Sequence, residues 1–154
     1  MNDTVKRSAG TDSPGLGGDA PLRVLVVDDD AVDRMAVKRQ LARTGISVET
    51  GEAEGVLEAI GQLADSAYDC VLLDFNLPDG DGLTFLRGLR SAGISVPVVM
   101  LTGQTDPEVV ADLVMAGASD YIPKSLLTPE RLLQAFSTCC GGNAGVRHRL
   151  ATPG

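Results

Sequence analysis

Apolar and polar positions along the chain fall into two alternating kinds of block. The first kind is short and apolar, often β-branched, as in "LRVLVV" at 22–27 and "VPVVML" at 96–101. Runs of this length are typical of strands that are covered on both faces. The predicted strands are 22–27, 46–50, 70–74, 96–101 and 119–122.

The second kind of block is longer and shows helical spacing or helix-start signals. Its clearest example is the second helix, where Val56, Ile60, Leu63 and Ala64 recur along one predicted face. The other predicted helices are 32–44, 83–93, one that runs from a Thr105–Glu108 capping box and Pro107 to Met115, and one opened by Thr128 and Pro129.

Five strands that alternate with five helices predict a doubly wound α/β domain on a five-stranded parallel sheet. In such sheets, ligands bind beyond the carboxyl ends of the strands, near the point where strand order reverses. We expect this domain to cover residues 22–140. Residues 1–21 lack apolar periodicity and are predicted to be a flexible N-terminal arm, and 141–154 are predicted to be a C-terminal tail.

Composition narrows the class of protein. The 154 residues are 44% hydrophobic and carry a net charge of -8, without a dense run of Lys or Arg. This charge argues against direct binding to nucleic acid or to an anionic membrane, and the apolar runs are too short for a membrane span. The three cysteines are too few for a disulfide framework and the N-terminus lacks a secretory apolar stretch, so we expect a cytoplasmic protein.

Side chains that can bind metal or phosphate follow the predicted strand ends. Strand one ends in Asp28 and Asp29, strand three in Asp74 and strand four in Thr102, and strand five leads to Lys124. These ends share one edge of a parallel sheet, so we expect the side chains to lie together. Carboxylates about 4 Å apart repel by roughly 4 kcal/mol at an effective dielectric constant of 20, so a divalent cation or a proton is needed there.

The same residues suit phosphoryl chemistry. Closely spaced Asp oxygens suit Mg²⁺, which keeps several waters and completes its shell with a phosphate. The Lys124 ammonium and the Thr102 hydroxyl can donate hydrogen bonds to phosphoryl oxygens. Asp74 stands alone on the central strand and is the candidate nucleophile for an aspartyl-phosphate, whereas Asp28 and Asp29 are better placed to hold the ion.

Four neighbouring acids have simpler interpretations. Asp30 and Asp33 are predicted to be the N-cap and a first-turn acid of helix one. Asp79 and Asp81 are predicted to serve the turn after strand three. In each case, local backbone geometry accounts for the carboxylate without a ligand.

Four motifs together resemble the receiver domain of bacterial two-component response regulators. They are "VVDDD" at 26–30, "LLDFNLPDGDG" at 72–82, "MLTG" at 100–103 and "DYIPK" at 120–124. The resemblance covers about residues 22–140 and implies the (βα)5 flavodoxin-like receiver fold. Because the chain ends soon after helix five, we expect a single-domain, CheY-like regulator that acts through protein contacts.

The resemblance implies that Asp74 accepts a phosphoryl group. The donor would be a phosphohistidine on a sensor histidine kinase or on a histidine phosphotransfer protein. Mg²⁺ would be held by Asp28 or Asp29, by Asp74, and by the backbone carbonyl of Asn76. Lys124 would pair with the phosphoryl group.

The resemblance also implies a switch. Thr102 would move toward the phosphoryl group and Tyr121 would turn inward, so that the face built from helix four, strand five and helix five changes its affinity for a downstream protein or for a second copy of the chain. The family pattern places Pro directly after the lysine, whereas here Pro123 precedes Lys124 and Ser125 follows it. The shape of this loop is therefore expected to differ from the family pattern.

Three alternative functions fit these residues less well than a receiver does. A phosphohydrolase resembling the haloacid dehalogenase superfamily would need an Asp two residues after Asp74, where the chain has Asn76. A receiver-like module that binds partners without phosphorylation is a further alternative, but it would not require the acids, the threonine and the lysine. A dinucleotide-binding fold is excluded because "VVDDD" lacks the glycines that admit a pyrophosphate.

We expect a phosphoacceptor rather than an enzyme. Since Asn76 and Gln104 offer no strong base, we also expect slow self-hydrolysis of the phosphoryl group.

Overall fold

Strands and helices alternate along the chain as predicted. The computed structural model describes residues 21–103 and 106–140; Gln104, Thr105, the predicted tail and nearly all of the predicted arm lie outside the described residues. The strands of the central sheet are β1 (Leu22–Val27), β2 (Val48–Ala53), β3 (Cys70–Asp74), β4 (Val98–Thr102) and β5 (Asp120–Pro123). The helices are α1 (Ala31–Ala42), α2 (Val56–Asp65), α3 (Gly82–Ser91), α4 (Pro107–Met115) and α5 (Pro129–Cys140).

Two short segments lie near the ends of the strands. A small antiparallel pair joins Asn76–Leu77 to Gly80–Asp81 directly after β3, and a 3₁₀-helix at Lys124–Leu126 follows β5. In the part of the chain that the structure describes, none of the helices has both the length and the apolar character needed to cross a bilayer.

The five strands form one parallel sheet in the order β2-β1-β3-β4-β5, which confirms the predicted doubly wound fold. Strand order reverses between β1 and β3, which are paired neighbours although β2 lies between them in sequence. The carboxyl ends of these two strands therefore flank the place where this architecture binds ligands.

Successive strand residues bury their side chains on opposite faces of the sheet. Val24 and Val26 pack in a core cluster with residues of α1 and α5, such as Leu41 and Phe136. The alternate residues of β1 pack in a second cluster with α2, α3 and α4. Because helices cover both faces, the central strands read as continuous apolar runs in the sequence.

The second strand differs from its prediction in position. It runs from Val48 to Ala53 rather than over 46–50, because it pairs with β1 along its whole length, from Leu22 opposite Val48 to Val27 opposite Ala53. Its polar sequence, "VETGEA", hides this pairing, since β2 is an edge strand and lies half exposed. The fourth strand is likewise shifted, to Val98–Thr102 from the predicted 96–101.

The inward face of α2 was predicted correctly only in part, although the helix itself is present. Ala59 is fully buried, with Val56 and Leu63 packed beside the core, whereas Ile60 is 48% exposed and Ala64 is also exposed. Ala59 is small and does not stand out in a search for large apolar side chains. A search for large apolar residues therefore picks a stripe that is rotated away from the true contact.

Side-chain caps begin several of the helices. Asp30 is the N-cap of α1, as predicted, and accepts a hydrogen bond of 2.8 Å from the amide N–H of Val32. Asp106, rather than the predicted Thr105, caps α4 and accepts from the amide N–H of Glu108 at 2.9 Å. Each cap satisfies an amide that has no partner within its own helix.

Candidate functional site

Two buried acids stand side by side where strand order reverses. The residues before them, Val27 and Leu73, are partners across β1 and β3, so Asp28 and Asp74 leave the sheet at the same level. Asp28 is 1% exposed and Asp74 is 5% exposed. The more exposed Asp29 joins them, and ligand oxygens of the three carboxylates all lie within 4.8 Å of one another.

The turn after β1 is held by polar contacts to Asp28. The amide N–H of Asp30 donates to Asp28 Oδ1 at 2.9 Å, and Arg34 Nη1 donates to the backbone carbonyl oxygen of Asp28 at 2.7 Å. Arg34 Nε is in turn paired with Glu52 Oε1 at 2.9 Å, and Lys38 Nζ binds the other oxygen of Glu52 at 2.8 Å. These contacts fix the backbone from which the acids project.

Ionisation of the Asp28 carboxyl group is unfavourable in its buried position. Burial raises the pKa of its carboxyl group, and the nearby carboxylates of Asp74 and Asp33 raise it further. The hydrogen bond from the Asp30 amide and the ammonium of Lys124 act in the opposite direction without cancelling the rise. The ionised form of Asp28 is therefore disfavoured unless a proton or a cation is bound at this edge.

Lys124 reaches the acids from the 3₁₀-helix that follows β5. Its Nζ lies 3.2 Å from Asp74 Oδ1, 3.4 Å from Asp28 Oδ2 and 3.3 Å from Asp33 Oδ2. Burial lowers the pKa of Lys124, but the attraction of Asp74 and Asp28 outweighs it, and the pKa is raised overall. All peptide bonds among the described residues are trans, so Lys124 reaches the site through a trans bond to Ser125.

Asp33 makes a contact with Lys124 that was not predicted from the sequence. It does lie in the first turn of α1, as predicted, but its carboxylate also binds Lys124 from a distance of 91 residues along the chain. A signal was available, because a first-turn acid directly after strand one starts at the same sheet edge as Asp28. The interpretation as a first-turn acid was sufficient locally, so the tertiary contact was not predicted.

Thr102 ends β4 beside the acids. Its neighbour Leu101 is the partner of Asp74 across β3 and β4, and Thr102 itself lies opposite Pro123, the residue before Lys124. Thr102 is fully buried. The structure thus brings the predicted threonine to the same edge as the predicted nucleophile and lysine.

Tyr121 lies in β5, half buried against the core cluster of α2, α3 and α4. Its backbone carbonyl accepts a hydrogen bond of 2.9 Å from Arg131 Nη2 of α5. Arg131 also makes two hydrogen bonds of 3.0 Å to the carboxylate of Asp120. This guanidinium ties β5 to α5 on the face for which the switch was predicted.

The loop after Asp74 is anchored at both ends. The amide N–H of Asn76 donates weakly to Asp74 Oδ1 at 3.4 Å, and the amide N–H of Gly82 donates to the carbonyl oxygen of Phe75 at 2.7 Å. Between them, Asp79 does more than serve its own turn, because its two carboxylate oxygens accept from the first amides of α2. No local signal in the sequence marks this contact, which spans 23 residues.

The residues present fit a divalent cation. Three carboxylates offer oxygens within 4.8 Å of one another, and two of them are buried. Among the described residues, one ammonium, that of Lys124, is paired with them. Oxygen-only ligands of this kind suit Mg²⁺, which also retains waters. A bound cation would offset the burial and the repulsion from Asp74 that raise the pKa of Asp28.

Comparisons with known proteins agree with this geometry. Residues 24–137 match the family model described as the response regulator receiver domain. The response regulator MprA of Mycobacterium sp. strain KMS is 43% identical over 113 residues, which are 73% of this chain and 48% of that protein. MprA of Mycolicibacterium vanbaalenii is 42% identical over 113 residues. The chain therefore spans about half the length of the curated relatives it matches.

Solved structures show the same fold. The signal receiver domain of the response regulator NarL from Mycobacterium tuberculosis superposes with a TM-score of 0.71 at 28% identity, covering 80% of this chain and 98% of that one. The chemotaxis response regulator CheY4 of Vibrio cholerae gives a TM-score of 0.65 at 29% identity, covering 77% and 98%. On its sequence, its strand order and its acidic edge, the chain belongs to the response regulator receiver domain family of two-component signalling.

Proposed function

We propose that the chain is a phosphoacceptor that takes a phosphoryl group on Asp74 and thereby changes its affinity for protein partners. The observation that carries this proposal is the position of Asp74, buried at the end of the central strand and 3.2 Å from Lys124 Nζ. A carboxylate in this setting has a cation beside it and further acids within reach of an ion. In this proposal the chain acts on no separate substrate, and in this sense it is not an enzyme.

The proposed reaction is a phosphoryl transfer from a phosphohistidine of a sensor kinase or of a histidine phosphotransfer protein. An oxygen of Asp74 attacks phosphorus, a P–O bond forms, and the P–N bond to the donor histidine breaks. The donor nitrogen keeps the electron pair and takes up a proton. Lys124 holds a phosphoryl oxygen and stabilises the charge that develops on it.

Asp28, Asp29 and Asp74, with the backbone carbonyl of Asn76, are the proposed ligands of Mg²⁺. When bound, the ion neutralises carboxylate and phosphoryl charge during the transfer. The role of this chain's own residues is to supply oxygens at a fixed spacing. Asp28 is held for that task by the amide of Asp30 and by Arg34.

The proposed output is a change on the face formed by α4, β5 and α5. A new dianion with strong acceptor oxygens can bias a packed element between two arrangements. Thr102, at the end of β4, is the proposed group that closes on the phosphoryl oxygens, and Tyr121 is the proposed reporter on β5. The partner is a downstream protein or a second copy of the chain, and the proposed setting is the bacterial cytoplasm.

Intact mass spectrometry tests the proposal. The protein is incubated with Mg²⁺ and acetyl phosphate, a small phosphodonor, and the mass is compared with that of Asp74→Asn and of a sample with chelator. Asp65→Asn, an exposed acid at the end of α2, is the matched control for a neutralised aspartate. We expect one added phosphoryl group in the unaltered protein and in Asp65→Asn, and none in Asp74→Asn or with chelator.

The contrary result has a defined meaning. If the unaltered protein, shown to be folded by circular dichroism, gains no mass at any Mg²⁺ concentration, the proposal is wrong and the chain is a receiver-like module that binds without phosphorylation. A gain that persists in Asp74→Asn would place the acceptor elsewhere. Either outcome would be read from the same spectra.

A further inference from the structure

The ammonium of Lys124 has a partner outside the group of acids that would bind an ion. Asp28 and Asp74 project from the sheet edge, whereas Asp33 projects from α1 and lies 3.3 Å from Lys124 Nζ. The Asp33 side chain is 46% exposed, against 2% for Asp28 and 6% for Asp74. The three contacts are similar in length, but a bound cation would weaken them to different extents.

A divalent cation held by Asp28, Asp29 and Asp74 offsets the attraction between two of these acids and Lys124. Like charges at this spacing repel, so the ion itself also pushes on the ammonium. Asp33 is not among the acids whose ligand oxygens cluster. Its attraction for Lys124 therefore persists when that of the other two is weakened.

We infer that Asp33 is a positioning residue, which keeps Lys124 at the site while Mg²⁺ is bound and before the phosphoryl group arrives. This inference rests on the proposed function of Asp74. An ammonium carries three N–H donors, so one can stay on Asp33 while others turn to a phosphoryl oxygen. The Lys124 side chain is one third exposed, and ordering it costs conformational entropy. Without Asp33, less attraction remains to offset that cost.

A double-mutant cycle tests whether Asp33 acts through Lys124. The rate of phosphorylation by acetyl phosphate is measured at saturating Mg²⁺ for the unaltered protein, Asp33→Ala, Lys124→Met and the double variant. We expect Asp33→Ala to slow the reaction about three- to fivefold, in keeping with a half-exposed ion pair. In the Lys124→Met background the same change should have no effect, because the group it positions is gone.

A matched variant separates positioning from charge. Glu108 is an exposed first-turn acid of α4, a helix that also begins at the carboxyl edge of the sheet. Glu108→Ala removes the same charge without a contact to Lys124, and we expect its rate to equal that of the unaltered protein. Asp33→Glu, which keeps the carboxylate one methylene further out, should recover part of the lost rate.

A second readout does not depend on the reaction. Lys6, Lys38 and Lys124 are the lysines of the chain, so the side-chain NH₃⁺ resonances are few enough to assign by NMR in lysine-labelled protein. With Mg²⁺ bound, we expect slow hydrogen exchange and restricted motion of the Lys124 ammonium, both lost in Asp33→Ala. Lys38, paired with Glu52 at 2.8 Å, is the internal reference and should not change.

The outcomes distinguish this inference from the proposed function. If the unaltered protein is never phosphorylated, the proposed function fails first. If it is phosphorylated but Asp33→Ala has the same effect with and without Lys124, or leaves the Lys124 ammonium ordered, the inference alone is wrong. A faster reaction in Asp33→Ala would also overturn it, because Asp33 would then compete with the phosphoryl group for the lysine.

Discussion

Arg34 donates from Nη1 to the backbone carbonyl oxygen of Asp28 at a distance of 2.7 Å. The guanidinium is almost buried, with 11% of its side chain exposed, and its Nε is paired with Glu52 at 2.9 Å. One planar group thus joins α1, β2 and the turn that carries the acids. Lysine has a point charge rather than a fork, so it could not make both contacts in this geometry.

Arg34→Lys is expected to lower the free energy of unfolding by about 1–2 kcal/mol, since charge-assisted hydrogen bonds of partly buried groups contribute in this range. It should also weaken Mg²⁺ binding several-fold, because the backbone of Asp28 loses its anchor. Chemical denaturation and calorimetric Mg²⁺ titration measure the two effects. Lys38→Met is the control, since it removes a partner of the same Glu52 but leaves the contact to Asp28 intact. Equal losses of Mg²⁺ affinity in both variants would contradict the prediction.

Asp28→Asn is expected to stabilise the protein in the absence of Mg²⁺ by about 0.5–2 kcal/mol, as relief of a functional strain commonly does. The amide oxygen can still accept from the Asp30 amide, while the unfavourable buried charge is removed. Added Mg²⁺ should raise the melting temperature of the unaltered protein but not that of the variant. A melting temperature that falls in Asp28→Asn without Mg²⁺ would show that the buried charge of Asp28 does not destabilise the protein.

The pKa of Asp28 also sets the sign of a pH dependence. Because burial and Asp74 raise this pKa in the folded state, the folded protein binds the proton more tightly than the unfolded chain does. The contribution of Asp28 is therefore neutral in acid and becomes destabilising as pH rises from the ordinary carboxyl range through the raised pKa. The stability difference between Asp28→Asn and the unaltered protein should grow over that interval, and Mg²⁺ affinity should fall as pH drops through it. Denaturation series at several pH values measure the stability difference, and calorimetric Mg²⁺ titrations at the same pH values measure the affinity.

Gly82 stands where a larger residue would collide with the acceptor strand. An added Cβ would lie 2.8 Å from the carbonyl oxygen of Asp74 and 2.7 Å from Cε of Met100. Gly82→Ala is expected to destabilise the protein by about 1–3 kcal/mol and to slow phosphorylation, because the end of β3 must shift. Gly88→Ala, in the same helix with open space around it, should instead stabilise by about 0.5–1 kcal/mol. Stabilisation of similar size by both would show that helix propensity decides and that the contact at Gly82 does not matter.

Asp79 caps α2 from the acceptor loop, with Oδ1 at 2.9 Å from the amide nitrogen of Val56 and Oδ2 at 3.2 Å from that of Leu57. These hydrogen bonds lower the pKa of Asp79, so the cap is fully formed above the ordinary carboxyl pKa and is lost as pH falls through the lowered one. Asp79→Ala should speed hydrogen exchange at both amides and lower the melting temperature. Glu58→Ala is the control, since Glu58 accepts from the amide of Glu54 and not from the two amides that Asp79 caps. Unchanged exchange in Asp79→Ala would show that the cap does not form in solution.

The sheet was predictable because its central strands combine two signals, a continuous apolar run and an abrupt polar end. β3 is buried throughout and stops on Asp74, so both its place in the core and its functional terminus show in a few letters. Convergence of Asp28, Asp74 and Lys124 then followed from parallel topology alone. None of these inferences needed a contact between specific side chains.

The parts that escaped prediction are tertiary. The partner of Asp33 lies 91 residues away, and that of Asp79 lies 23 residues back, so neither contact leaves a local pattern. The face of α2 was predicted only in part for a related reason, because the residue that is fully buried on this helix is the small Ala59. Volume complementarity across elements decides such cases, and periodicity of large apolar residues does not report it.

Chain order divides the candidate site into two parts. Asp28 and Asp29 directly follow β1, and Asp74 ends β3. Thr102 ends β4 and Lys124 follows β5, and these two strands join the rest of the sheet along the β3–β4 seam. If β4 and β5 open locally as one cooperative unit, the carboxylates stay assembled and the groups that contact a phosphoryl group depart. A phosphoryl group on Asp74 is bonded to one part and held by the other. It would therefore link the two parts and oppose local opening along the β3–β4 seam. Its presence should slow hydrogen exchange in β4 and β5 more than in β1 and β2.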